Sequence, residues 1–318
     1  MSVLFLREAE VEQLLDMPTT IAVIREAFRQ LAADRVQNVP RQRARGNGII
    51  LHSMSAAADY LGVVGWKQYT TTKAGAKFHV GLYEQATGSL IALIEADRLG
   101  QMRTGAVTGI AASVLANRES DRVGVLGSGW QAESQLEAVA TACNTARAVV
   151  YSRDASRREA FAANMSARLG IEVVAVTEPR DAVESLPIVI TATTSRTPVF
   201  DGNWLCEGAL VCAIGSNSPQ RAELDLTTVR RASLVVCDSV ECCRQEAGDF
   251  DQAIEAGAFS WNSALDLGQV LVGSVKGRKQ EDEIVVFKSV GMAIEDVAVA
   301  HEVVKLAESQ SVGSTLSI

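Results

Sequence analysis

The feature that most restricts this chain is a hexapeptide, Gly127-Ser128-Gly129-Trp130-Gln131-Ala132, set between the apolar run VGVL and the helix-patterned segment WQAESQLEAVATA. The spacing fits G-x-G-x-x-G/A. In that pattern the first glycine makes a tight turn and the second lets backbone approach a pyrophosphate. The small sixth residue keeps helix and strand close. The helix start adds free N–H groups and a positive dipole end. Gly127, Ser128, Gly129, Trp130, Gln131 and Ala132 are therefore candidate dinucleotide contacts, although a glycine-rich turn alone would also be a plain structural element.

The surrounding pattern supports the first reading. From Asp121 onward, strand-like runs that are apolar throughout (RVGVL, ARAVVYS, IEVVAV, PIVITATT, ALVCAIG, SLVVCDS) recur, several with helical or turn segments between them, the first helices being WQAESQLEAVATA and ASRREAFAANMSARLG. Continuous apolar strands suit a parallel sheet covered on both faces, and alternation with helices suits a doubly wound α/β domain. The second strand ends Val150-Tyr151-Ser152-Arg153-Asp154. An acid at that place holds the ribose 2′-hydroxyl of NAD. Serine followed by arginine suits a 2′-phosphate and favours NADPH, with NADH possible. A one-residue shift would instead make Asp154 the ribose ligand.

The N-terminal third is different. Residues 19–34 read as an amphipathic helix, and Arg35 with the following VQNVPRQRARGNG as a loop that also carries Arg41, Arg43 and Arg45. Short strands follow, with a hairpin near Ala86-Thr87-Gly88, and then DRLGQMRTGAVTGIAASVLA reads as a helix of small residues ending near Asn117. The tail EIVVFKSVGMAIEDVAVAHEVVKLAES reads as strand, glycine turn and long helix; it either extends the α/β domain or returns to pack on the N-terminal part, and the return is the favoured reading.

A net charge of −8 opposes a nucleic-acid partner. No apolar run is long enough for a membrane span, and the first residues hold no leader pattern, so a cytoplasmic protein is expected. The six cysteines form no C-x-x-C pair and the three histidines share no ligand spacing, so reduced, buried thiols and no metal are expected. Several polar residues bear two readings. Arg41 is a carboxylate clamp or part of a solvated loop, and Lys67 is a donor to substrate or a lysine snorkelling at a sheet edge. Arg103 is a clamp or an exposed helix residue, with Thr104 beside it as a candidate cofactor contact. Asn217, in GSNSPQRAELD, is a substrate contact supported by Arg221, or a member of an Asn-Ser-Pro turn. Ser289-Val290-Gly291 is a cofactor contact or a plain turn.

Taken in order, Pro40-Arg41, Lys67, ADRLGQMRTGA, GSGWQA, GSNSPQRAELD and Phe287-Lys288-Ser289-Val290-Gly291 resemble the ornithine cyclodeaminase/mu-crystallin family over nearly the whole chain. The resemblance implies a homodimer with a Rossmann domain, 117–291, and an α+β substrate/dimerisation domain built from both chain ends, 1–116 with 292–318. It also implies that Arg41, Lys67 and Arg103 bind a substrate carboxylate or line the active site, that Ser216-Asn217 carry polar substrate contacts, and that Ser289-Val290-Gly291 lie beside the nicotinamide. Ornithine cyclodeaminases look like G-G-D-C-P-G-K where this chain has Gly215-Ser216-Asn217-Ser218-Pro219-Gln220-Arg221, so an amide stands where they use an acid. The GSN loop is similar to imine-reducing members, which convert cyclic ketimines such as 1-pyrroline-2-carboxylate to L-proline. Lys67, Arg103 and Asn217 are then the catalytic candidates. Alanine dehydrogenase, ornithine cyclodeaminase, hydroxyproline dehydratase and a non-catalytic NADPH binder are the alternatives on the same scaffold.

Overall fold

The computed structural model describes residues 2–117 and 120–317, which fall into two compact units. In chain order the first unit holds β1 (Ser2–Leu6), α1 (Glu8–Leu14), α2 (Met17–Ala32), β2 (Val36–Gly46), β3 (Ile49–Ala58), β4 (Val63–Thr72), β5 (Gly75–Glu84), β6 (Leu90–Glu95) and the start of α3 (Asp97–Leu115). The second holds β7 (Arg122–Leu126), α4 (Trp130–Ala142), β8 (Arg147–Tyr151), α5 (Ala155–Leu169), β9 (Glu172–Ala175), β10 (Ile188–Thr191) and β11 (Leu210–Ala213). It continues with α6 (Leu226–Arg231), β12 (Ala232–Cys237), α7 (Val240–Glu246), α8 (Asp251–Glu255), β13 (Leu265–Asp266), α9 (Leu267–Leu271) and β14 (Ile284–Lys288). The chain then returns to the first unit with α10 (Ala293–Gln310) and β15 (Ser314–Ser317).

The first unit is a seven-stranded mixed sheet, β15-β1-β6-β5-β4-β3-β2. The polar tail residues Ser314–Ser317 add an edge strand to β1 that no apolar periodicity announces. α10 lies over β2, β3, β4 and β5 and against α2. Its close approach has a local cause: a Cβ at Gly65 of β4 would come within 2.8 Å of Val297 of α10. Gly65, Lys67 and Tyr69 alternate along β4 and so share the face turned to α10. One sequence expectation is corrected here, because VQNVPRQRARGNG is mostly β2 rather than a loop. β2 is an edge strand, and its register shifts between Val39 and Gln42, around Pro40. An edge with a bulge is where a strand tolerates a residue without an N–H.

The second unit is a doubly wound sheet of order β13-β12-β14-β11-β10-β7-β8-β9, every neighbouring pair parallel. β10, β11 and β14 are buried at every position, as continuous apolar runs require. Strand order reverses at β7, which has β8 on one side and β10 on the other. That is the switch point where such sheets bind ligands. The fold class expected from sequence is the one observed, including a second domain built from both chain ends.

The division differs at α3. The unit boundary falls between Thr104 and Gly105, so the second half of this helix belongs with the second unit rather than, as expected, wholly with residues 1–116. Two glycines explain it. A Cβ at Gly105 would sit 2.3 Å from the Ser134 carbonyl oxygen, and one at Gly109 would sit 2.7 Å from that of Ala138, both on α4. The two backbones meet because these positions have no side chain. Gly109→Val is expected to cost about 1–3 kcal/mol through overpacking, read as a clear fall in thermal midpoint; an unchanged midpoint would show that the contact is not required.

Candidate functional site

The first unit buries a cluster of charge on the α10 face of its sheet. Lys67 is 1% exposed, its Nζ 2.7 Å from Asp296 Oδ1. Arg103, on α3, places Nε 3.1 Å from the same oxygen, and its Nη1 donates to Glu295. Gly100, one turn before Arg103, makes room for the lysine: a Cβ there would lie 3.1 Å from Lys67 Nζ. Around the ammonium stand the rings of Phe78 and Tyr69, their centroids at 5.0 and 5.9 Å. Tyr69 is stacked on His52 at 4.2 Å and on Phe78 at 4.7 Å, and the Arg41 guanidinium lies 6.0 Å from its centroid. Arg41 is buried, whereas Arg43 is half-buried and Arg35 and Arg45 are exposed.

The structure therefore brings together Arg41, Lys67 and Arg103. Lys67 is not snorkelling at an edge, and Arg103 is not an exposed helix residue. The cluster sets three cations, Arg41, Lys67 and Arg103, against two carboxylates, Glu295 and Asp296. Burial, together with Arg103, lowers the Lys67 pKa to about 8, and Asp296 opposes the shift. Burial and then Arg43, Arg41 and Arg45 push the His52 pKa down to about 4, so His52 adds no charge near neutral pH. Three cations gathered in one buried site offer charged donors to a carboxylate. Thr104 is half-buried, and its hydroxyl donates back to the Gly100 carbonyl at 2.7 Å.

In the second unit the hexapeptide lies as its spacing predicts. Gly127 has φ +117, and a Cβ there would meet the Ala192 carbonyl oxygen at 2.5 Å. Gly129 is the N-cap of α4 with no side-chain capping bond, and a Cβ on it would meet nothing within 4 Å. Open space in front of an uncapped helix start is what a pyrophosphate needs. Ala132 is fully buried, Gln131 half-buried and Trp130 44% exposed. The Ser128 hydroxyl donates to that of Ser152 at 2.8 Å, joining the turn after β7 to the end of β8. Arg153 is exposed, and Arg158 donates to the Ser152 carbonyl at 2.9 Å, placing a second guanidinium there. Asp154 caps α5, accepting from Arg157 N at 3.1 Å and Ser156 Oγ at 2.8 Å. Its Oδ1 is thus committed to the helix.

At the ends of β10, β11, β12 and β14 lies a buried polar network that the sequence reading missed. Glu223 Oε2 accepts from Gly215 N at 2.7 Å, and its Oε1 accepts from Thr193 N at 2.7 Å. Asp249 accepts from Glu223 N at 2.6 Å and pairs with Lys288 at 2.8 Å, and Lys288 donates to the Ser216 carbonyl at 2.7 Å. Burial opposes the charge on Lys288, but Asp249 and Glu223 outweigh it and hold its pKa above the ordinary lysine value. Asn217, exposed, follows this anchored Ser216. Arg221 contributes through its backbone, its carbonyl accepting from Ser216 Oγ at 3.2 Å. Asp238 Oδ2 accepts from Ser289 Oγ, Val290 N and Gly291 N at 2.8, 2.8 and 2.7 Å, fixing the turn in which Gly291 has φ +82. An acid directly after an apolar strand, as in LVVCDS, was the available signal.

Residues 1–311 match the model of the ornithine cyclodeaminase/mu-crystallin family. The chain belongs to that family. Among its relatives, a Delta(1)-pyrroline-2-carboxylate reductase of Bacillus cereus is 29% identical over 96% of this chain and 97% of its own. An alanine dehydrogenase of Archaeoglobus fulgidus is 31% identical over 99% of this chain and 98% of its own. Of solved structures, the Thermococcus litoralis Delta(1)-pyrroline-2-carboxylate reductase in complex with NADH and L-proline superposes with a TM-score of 0.95 at 31% identity, covering 99% of this chain and 100% of that one. An archaeal alanine dehydrogenase dimer with bound NAD gives 0.94 at 30%, with full coverage of both.

The two fingerprint glycines make a contrasting pair. Gly127→Ala is expected to lose fold stability, whereas Gly129→Ala keeps the wild-type melting curve and loses dinucleotide affinity by at least about tenfold. Calorimetric titration with melting curves checks this, and a Gly129 variant that binds normally would remove the open space from the cofactor site.

Proposed function

We propose that the chain reduces a cyclic imino acid such as 1-pyrroline-2-carboxylate to the L-amino acid, with NADPH the preferred reductant and NADH usable. It is an oxidoreductase acting on C=N and CH–NH bonds. The observation that carries the substrate assignment is the gathering of three buried cations, Arg41, Lys67 and Arg103, which suits a carboxylate beside the reacting carbon. The relatives named as pyrroline-2-carboxylate reductases support the same reading.

The reduced nicotinamide, when bound, supplies a hydride to C2 of the imine. The protein's part is to hold the carboxylate with Arg41, Lys67 and Arg103, so that C2 is presented in one orientation. C2 is attacked efficiently only when the imine nitrogen is protonated, and Lys67 or solvent provides that proton. Asn217 serves as a hydrogen-bonding side chain rather than an acid, which disfavours ornithine deamination. Gly127 through Ala132 cradle the pyrophosphate, and Ser289, Val290 and Gly291 border the nicotinamide. Ser152 and Arg153, with Arg158 alongside, receive the 2′-phosphate. The kcat/KM ratio is expected to favour NADPH, and Ser152→Asp to move it toward NADH at least about tenfold; an unmoved ratio would remove Ser152 from the cofactor site.

A second reading has its own support in the likeness to alanine dehydrogenases: reduction of an acyclic imino acid formed from pyruvate and ammonia. Turnover that requires added ammonia favours it, and turnover of the preformed ring without ammonia favours the first. The carboxylate role of Arg103 has a direct check. Arg103→Ala is expected to raise KM for the imine by roughly thirty-fold or more, as truncating a buried charge partner costs about 2–5 kcal/mol. Dinucleotide affinity should hold, and an unchanged KM would take Arg103 out of the site.

The protein is further proposed to be a homodimer. On the sheet face opposite α10, Ile49, Leu51, Val64 and Tyr83 are each 36–42% exposed, and Val64 and Tyr83 are cross-strand neighbours. Ile49 and Leu51 lie toward one end of this face and Val64 and Tyr83 toward the other, so exposed apolar side chains stand at both ends of a face that a second subunit would cover. Sedimentation is expected to give twice the chain mass, with Val64→Asp shifting the population to single chains.

A further inference from the structure

We propose that Asp296, a residue with no assigned role, is the positioning residue of the first unit's site, holding Lys67 and Arg103 as two charged donors on one carboxylate oxygen. The inference rests on the proposed use of Lys67 for the substrate.

The geometry is specific. Asp296 lies in the first turn of α10 and is fully buried. Its Oδ1 accepts from Lys67 Nζ at 2.7 Å and from Arg103 Nε at 3.1 Å. Like charges that close repel each other, and burial strengthens the repulsion. An anion between them is what makes the pair tolerable. The helix start favours an acid at this place, and α10 has no side-chain N-cap of its own. Asp296 Oδ2 is buried without a hydrogen-bond partner among the described residues. The carboxylate thus gives its charge to the two cations rather than to a wider network.

The two cations depend on Asp296 unequally. Arg103 also donates to Glu295 and keeps its charge at any ordinary pH. Lys67 is faced by Asp296 from α10, Arg103 from α3 and Arg41 from β2, with the rings of Tyr69 on its own strand and Phe78 on β5. Burial and the two arginines oppose its charge, and Asp296 is the group that favours it. Without Asp296 the ammonium loses its proton at lower pH, and the site loses one of its donors to the substrate carboxylate.

The test is the pH profile of kcat/KM for 1-pyrroline-2-carboxylate with NADPH. In the wild type, activity is expected to fall as pH rises through about 8, where Lys67 loses its charge. Asp296→Asn keeps the shape and one acceptor but removes the charge. Its falling limb is expected to move to lower pH by about one unit or more, with dinucleotide affinity retained. Glu295→Gln removes an equally buried carboxylate that serves Arg103, and is expected to raise KM while leaving the limb in place. A limb at the wild-type position in Asp296→Asn, however slow the enzyme, would overturn the proposal. Should the amide variant fail to fold, Asp296→Glu is measured instead, and a limb displaced by more than about half a unit with the charge retained would overturn it. A wild type inactive on every imine tested would overturn the substrate reading instead, a different result from an active enzyme with an unmoved limb.

Discussion

Two buried cations meeting one carboxylate oxygen are the constraint around which the first unit is arranged. Lys67 and Arg103 converge on Asp296 Oδ1 at 2.7 and 3.1 Å. Lys67 depends on that acid to keep its charge in the interior, Arg103 shares it with Glu295, and both cations in turn stabilise the acid. Lys67 comes from a strand in the N-terminal third and Asp296 from a helix near the C-terminus, so the chain must return to its own beginning to complete the cluster. α10 does so, and Gly65 and Gly100 supply the space, one for the helix and one for the lysine. The unit is built from both chain ends because its buried charge needs both.

The second unit follows the same physical rule with different residues. Glu223, Asp238 and Asp249 are all buried, and each accepts backbone N–H groups from loops at the C-terminal ends of the strands. Lys288 supplies the counter-charge and reaches the Ser216 carbonyl. Loops that would otherwise be mobile are thus tied to side chains held in the sheet, the condition for a preorganised site. The Ser216 carbonyl next to Asn217 is held by Lys288, and the Ser289–Gly291 turn by Asp238.

Much of this was legible in the sequence, and for identifiable reasons. The strand, fingerprint and helix of the second unit follow from local chemistry, and α4 spans Trp130–Ala142, the segment its pattern marked. Lys67 and Arg103 stood out as cations in apolar or small-residue segments, and Arg41 as one of four clustered arginines. Their partners did not. Glu295 and Asp296 sit in an ordinary acidic first helical turn, and only the fold shows that they face buried cations. Asp238, Asp249, Glu223 and Lys288 escaped for the same reason, being partners across long sequence separations. The edge strand Val36–Gly46 was hidden by Pro40 and its arginines, which read as a loop until the bulge explains them. The division of α3 depended on two glycines whose contacts lie on another helix.

The central proposal is hydride delivery from a bound dinucleotide to an imine carbon beside a carboxylate. The most direct measurement is the product formed from 1-pyrroline-2-carboxylate and reduced cofactor carrying deuterium at the transferable position. The account predicts L-proline with a single deuterium at C2 and no ammonia released when L-ornithine is supplied instead. Unlabelled product, or proline formed from L-ornithine with ammonia, would contradict it.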